Sequence, residues 1–247
     1  MFPIRDHNPS RHPAYVTWGL MAVNIIVFMM YVPLLGDEIA LSTFFDNWAM
    51  VPAEITSGSD YHTALTSMFL HGGFMHIAGN MLFLWIFGDN VEDAMGHIPF
   101  LAFYLAAGFA ADAIHVLSDP NSPIPTVGAS GAIAGVMGAY LLLYPNAKVD
   151  ILIILVVIFR IFTLPAFIVL GVWMAMQLFG GVASSAAGGG VAYWAHVGGF
   201  IAGVILTLPL WAKRGGVQFW KRSDYHPPHK PTFETRSTTI PVVRRRK

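Results

Sequence analysis

An all-α polytopic membrane protein, folded as a bundle of six transmembrane helices, is the class predicted by three observations. The first is composition: 55% of the 247 residues are hydrophobic and 11% charged, with a mean hydropathy of +0.58. The second is a set of apolar runs, near 15–35, 71–88, 98–117, 164–180 and 193–211, each near the roughly 20 residues that cross a bilayer. A sixth run follows Gly128 and ends at Leu143. The third is the placement of charge. With six spans both ends share a side, and every Lys and Arg then falls there: Arg5 and Arg11 before the first span, Lys148 and Arg160 between the fourth and fifth, the rest after the sixth. The positive-inside rule makes that side cytoplasmic.

Taken in order, residues 1–13 form a cytoplasmic N-terminal tail. The long apolar run behind it lacks an Ala-x-Ala cleavage site and is read as an uncleaved first span. The bundle occupies 14–211. Between Gly36 and Leu70, Phe44, Phe45, Trp48 and Met50 alternate with Asp46 and Glu54, which predicts short helices lying in the headgroup region. The piece from Val149 to Thr163 is apolar but interrupted by Arg160, and is expected to be a re-entrant or interfacial connection rather than a span. The connection at 181–191 is rich in glycine and serine and is expected to be mobile. From 212 to 247 the chain is polar and basic, a tail expected to be disordered and drawn to anionic membrane lipids.

Net charge is zero and cysteine is absent. The missing cysteines exclude disulfides, thiolate metal sites and cysteine nucleophiles. No His-Glu-x-x-His occurs, and His71 and His76 are five apart, a poor spacing for one helical face, so no metal is expected. No nucleic-acid partner is expected either.

Chemistry concentrates at the outer ends of three helices. Pro123 and Pro125 hold an extended approach to Gly128-Ala-Ser130-Gly131, and the apolar run behind them places Ser130 in the first turn of a helix. Free backbone N–H groups there favour an oxyanion beside the serine. The plain alternative is a serine cap followed by small packing residues. His196, in the sixth run, is expected at a similar depth, where imidazole could take and return the hydroxyl proton. Gly131, Gly135 and Gly138, with Ala195, Gly199 and Gly203, are small enough for these two helices to approach closely. His76 and Asn80 share a face of the second helix and could donate to an oxyanion, or could instead glue helices together. His71 is read as a boundary residue, and Asp112 with His115 as structural. No carboxylate stands out as a third member, so a dyad is expected. The serine run is too short to fill a hydrocarbon core of about 30 Å, so Ser130 should lie below the membrane surface in a cavity open to water.

Together Gly128-Ala-Ser130-Gly131, Ala195-His196 with Gly199 and Gly203, and His71, His76 and Asn80 resemble the rhomboid family of intramembrane serine proteases, of the bacterial type. The likeness extends from about Asn8 to Leu210 and includes Trp48 to Glu54 and Gly88 to Glu92. The resemblance implies a rhomboid-like six-helix core, a Ser130/His196 catalytic dyad, and an oxyanion site from His76, Asn80 and the Ser130 N–H. It also implies single-span membrane proteins as substrates, no cofactor, and residence in a bacterial inner membrane with both termini cytoplasmic. Two departures stand out: Ala134 replaces the aromatic that some members stack on the histidine, and no Trp-Arg pair occurs near Tyr61-His62. A rhomboid-like pseudoprotease that binds clients without cutting is the alternative, although such proteins usually lack a dyad residue.

Overall fold

Every residue from Gly131 to Tyr140 is buried, and the helix that carries them is the axis on which the others pack. The computed structural model describes residues 2–155, 158–184 and 191–223. Its helices are α1 (Tyr15–Tyr31), α2 (Glu38–Trp48), α3 (Pro52–Ser57), α4 (Thr63–Thr66), α5 (Phe74–Met95), α6 (His97–Ser118), α7 (Ser130–Leu143), α8 (Ala166–Ser184), α9 (Tyr193–Lys213) and α10 (Val217–Ser223). Three strands join them: β1 (Phe2–Asp6), β2 (Lys148–Leu155) and β3 (Ile158–Pro165).

Four of these segments are long and apolar enough to cross a membrane: Tyr15–Gly36, α6, Ala166–Ala183 and α9. A fifth is formed by Thr63–Phe69 and α5 together, joined through a bend of 90°. The sixth apolar helix, α7, has 14 residues and is about 21 Å long at 1.5 Å per residue. Its shortness is tolerated because it meets protein on every side, packing on α9, α6 and α5 and more lightly on α8. A helix shorter than its neighbours leaves a recess above its N-terminus. The chain is therefore a multi-pass, mostly helical membrane protein.

Glycine sets the closest approach. A Cβ on Gly203 would lie 2.0 Å from the Gly135 carbonyl oxygen, and one on Gly138 would lie 2.2 Å from that of Phe200. Only hydrogen at these positions lets α7 and α9 touch backbone to backbone. Dispersion at such contacts, rather than water exclusion, is what holds helices together in lipid.

The stretch expected to be a re-entrant or interfacial connection rather than a span takes the form of a β-hairpin, β2 with β3, extended by β1 into an antiparallel sheet of order β1-β2-β3. The expected N-terminal tail thus begins as a strand. Valine and isoleucine dominate β2, and such β-branched side chains fit a pleated surface. Val149 and Ile151 are buried while Arg5 is exposed. Asp150 accepts hydrogen bonds from Arg5 Nε at 2.7 Å, His7 Nε2 at 2.9 Å and Thr163 Oγ1 at 2.6 Å. Burial alone would raise its carboxyl pKa, but the bonds from Thr163, His7 and Arg5 outweigh this and hold it well below the usual carboxylate range. The sheet is fastened to the far end of α7, where the Tyr140 hydroxyl donates to Asp6 Oδ2 at 2.9 Å and accepts from the Asn8 amide.

The same end of the bundle is closed by other polar contacts. Glu92, buried in α5, accepts from the backbone N–H of Val16 (2.9 Å) and Thr17 (2.7 Å), capping the first turn of α1. Arg214 donates to the Ala94 carbonyl at 2.6 Å, and Trp220 of α10 to that of Leu142 at 2.9 Å. At the opposite end α2, α3 and α4 are the short helices expected between Gly36 and Leu70. Of the mobile connection expected at 181–191, residues 181–184 instead continue α8, and of the disordered tail expected from 212, residues 212–213 end α9 and 217–223 form α10; residues 185–190 and the tail beyond 223 lie outside the described residues.

Candidate functional site

Above the N-terminus of α7 lies a cavity of about 920 Å³ whose walls include His76, Asn80, Ser130, Trp173 and His196. The segment that reaches Ser130 is positioned by three contacts. Thr126 and Met50 exchange backbone hydrogen bonds at 2.8 and 3.1 Å, Thr126 Oγ1 lies 2.9 Å from His115 Nε2, and the Gly128 N–H donates to the Ser67 carbonyl at 2.9 Å. The chain then turns at Gly128 with φ +137°, a backbone conformation that favours glycine, and α7 begins at Ser130.

Ser130 and His196, 66 residues apart, meet here: Ser130 Oγ is 2.7 Å from His196 Nε2. Both are half-buried. Their approach follows from the glycines beneath them, since a Cβ on Gly199 would lie 2.0 Å from the Gly131 carbonyl oxygen. On its other side, His196 Nδ1 is 2.8 Å from Gln177 Oε1, and Gln177 Nε2 donates to the Trp173 carbonyl at 3.2 Å. The Trp173 ring is 5.7 Å from the imidazole between centroids, with 36° between their planes.

His76 stands across from the serine. Its Nδ1 accepts from the Gly72 N–H at 3.2 Å, so a neutral ring carries its proton on Nε2 and can donate from there. A Cβ on Gly128 would lie 3.0 Å from His76 Nε2 and 3.4 Å from Ser130 Oγ. The space that glycine leaves open is one atom wide and is flanked by both groups. Asn80, one turn along α5, is buried and donates to the His76 carbonyl at 3.0 Å. Its amide retains a second N–H in the cavity wall.

One side chain sits differently from its sequence reading. His71 is not a boundary residue but fully buried, its ring 5.1 Å from that of His76 and its backbone N–H and carbonyl both bonded to the Tyr31 hydroxyl. Asp112 and His115 do not pair; His115 holds Thr126, and Asp112 Oδ2 has no hydrogen-bond partner among the described residues. Gln177 and Trp173 are absent from the sequence reading altogether. A signal was available, because Gln177 is the one amide in an otherwise apolar helix and stands four residues from Trp173. Among the described residues no group of three His, Asp or Glu is arranged to hold a metal ion.

Fold and site thus define a helical multi-pass membrane protein with a serine and a histidine hydrogen-bonded in a cavity at one end of the bundle. The chain belongs to the rhomboid family: a family model described as the rhomboid domain matches residues 58–213. Among curated relatives, the chain is 28% identical over 207 residues to "Rhomboid protein 1, mitochondrial" of Saccharomyces cerevisiae, covering 78% of this chain and 53% of that protein. It is 36% identical over 125 residues to "Rhomboid protease GluP" of Bacillus subtilis, covering 51% and 24% respectively. With the human "Presenilin-associated rhomboid-like protein, mitochondrial" it shares 31% over 137 residues, covering 54% and 34%. The chain therefore spans between a quarter and about half of the length of these relatives.

Proposed function

We propose that this protein is an intramembrane serine endopeptidase that cuts single-span membrane proteins within or beside their transmembrane segment. The observation that carries this reading is the 2.7 Å approach of Ser130 Oγ to His196 Nε2 at the floor of a cavity. In the reaction, His196 Nε2 takes the hydroxyl proton as Ser130 Oγ bonds to the scissile carbonyl carbon. The carbonyl oxygen becomes an oxyanion and is met by the His76 Nε2–H, the Asn80 amide and the Ser130 N–H. The C–N bond then breaks while His196 returns the proton to the leaving amine. Water, deprotonated by the same imidazole, hydrolyses the acyl-enzyme and restores the serine.

A peptide bond inside an α-helix is shielded by side chains and its carbonyl is already bonded, so the substrate helix must open before attack. Glycine or proline near the scissile bond favours that opening. Binding without cleavage is the rival reading; the paired serine and histidine, which a pure binding protein does not need, weigh against it.

The proposal extends to placement: both termini on the cytoplasmic face of a bacterial inner membrane, the cavity opening outward. Its support is the one-sided distribution of the basic residues, with Arg5, Lys148 and Arg160 all on the three-stranded sheet. The test of the reaction is covalent capture. A fluorophosphonate should label the purified protein at Ser130, and the Ser130→Ala variant should not be labelled; equal labelling of both would sink the enzymatic reading.

A further inference from the structure

We propose that Gln177 is a positioning residue for His196, holding the imidazole in the one tautomer that can accept the Ser130 proton. The inference rests on the reading of Ser130 and His196 as nucleophile and base.

Gln177 is the one side-chain amide in α8. An amide in an otherwise apolar span is costly unless it faces protein partners, and Gln177 is buried with two of them. The first is the Trp173 carbonyl oxygen, 3.2 Å away, which can only accept. The Gln177 NH₂ must therefore face it, and this fixes the amide so that Oε1 faces His196 Nδ1 at 2.8 Å. An amide oxygen also only accepts, so Nδ1 carries the ring proton. A neutral imidazole has one such proton, so Nε2 is bare, and the Ser130 hydroxyl hydrogen lies along the 2.7 Å contact to it. Four groups in series leave one self-consistent arrangement of hydrogens, and it is the one poised for proton transfer.

Reversing the amide shows what Gln177 excludes. Its oxygen would face the Trp173 carbonyl with no hydrogen between two acceptors, and its NH₂ would force Nδ1 to accept. Nε2 would then be protonated and could not take the serine proton. The Trp173 ring, 5.7 Å from the imidazole, limits rotation of the ring about its own axis. Both residues lie one turn apart on α8, so one helix provides the orientation that Ala134 on α7 does not. An amide rather than a carboxylate also suits the depth. It offers an oxygen dipole to the imidazolium formed in the reaction, yet leaves no buried charge while the imidazole is neutral.

The test compares Gln177→Met, similar in length without the acceptor, with Gln177→Glu, which keeps an acceptor oxygen at the same reach. Both are measured beside Ser130→Ala on full-length purified protein. Expected for Gln177→Met is a kcat lower by about 10-fold or more with KM nearly unchanged, and a matching fall in the rate of fluorophosphonate labelling, as when a supporting partner of a reactive histidine is removed. Gln177→Glu should recover part of the labelling rate, because it keeps the acceptor oxygen for His196 but loses the NH₂ that faces the Trp173 carbonyl. A Gln177→Met protein that labels and cleaves at the wild-type rate while Ser130→Ala does neither would overturn the positioning role alone. Equal impairment of Met and Glu variants, tracking loss of folded protein, would overturn it as well by reducing Gln177 to packing. Cleavage by Ser130→Ala would overturn the enzymatic reading and this proposal with it.

Discussion

Replacing Gly199 by alanine adds a single methyl group at one of the tightest points between α7 and α9. A Cβ there would lie 2.0 Å from the carbonyl oxygen of Gly131, 2.9 Å from its carbonyl carbon and 3.2 Å from the Ala111 methyl. Non-bonded carbon and oxygen stay about 3.3 Å apart even when weakly attracted, so the helices must part by roughly 1.3 Å. The blocking atoms are backbone, and no rotamer change relieves them. Overpacking of this kind costs about 1–3 kcal/mol. The functional effect is larger, because Gly199 is one turn below His196 and Gly131 adjoins Ser130. The same displacement would stretch the 2.7 Å contact between Ser130 Oγ and His196 Nε2 to about 4 Å, past hydrogen-bonding range. Proteolysis of a single-span substrate should then fall by about 10²-fold or more, the usual contribution of a positioned base. Gly171→Ala on α8 is the control, because nothing lies within 4 Å of its added Cβ. It should leave cleavage unchanged and keep or raise stability by about 0.5–1 kcal/mol. The assay is substrate cleavage together with thermal unfolding in one detergent. A Gly199→Ala protein that cuts and melts like wild type would refute the backbone contact and the geometry it imposes.

Two further outcomes are expected. His76→Ala and Asn80→Ala should each lower kcat, by up to about 10²–10³ and by less where the remaining donors compensate, with KM nearly unchanged because these bonds strengthen in the transition state; full turnover with lower melting temperature in both would mark them as interhelical glue. With no native cysteine, a single cysteine at position 122 should react with an impermeant thiol reagent in intact cells and one at position 223 should not, and the reverse pattern would invert the proposed orientation.

What the sequence discloses and what it hides follow from physical scale. Length and hydropathy are summed over some twenty residues, so the six apolar segments stand out, and even the shortness of α7 is visible before its burial is known. The close approach of α7 and α9 is foreshadowed by Gly131, Gly135, Gly199 and Gly203, because a glycine row at helical spacing has few other uses. The hairpin of β2 and β3 is hidden for a different reason. Its stability comes from pairing with β1, some 145 residues earlier, and from the shared carboxylate of Asp150, which no local window contains. Gln177 is hidden likewise: a single amide in an apolar helix is visible, but its meaning depends on the ring that faces it from α9. His71 misleads because its position just before α5 suggests a membrane boundary, whereas it is fully buried and its backbone is held by the Tyr31 hydroxyl of α1.

The central claim is that Ser130 forms a covalent bond with the carbonyl of a membrane-embedded peptide, and it is tested most directly by cleavage in a bilayer. Wild-type protein and Ser130→Ala, each reconstituted with a single-span substrate in vesicles, should differ completely. The wild type should release two fragments whose new termini lie in or next to the transmembrane segment, and Ser130→Ala, with unchanged melting temperature, should release none. Fragments produced at the wild-type rate by Ser130→Ala would contradict the account.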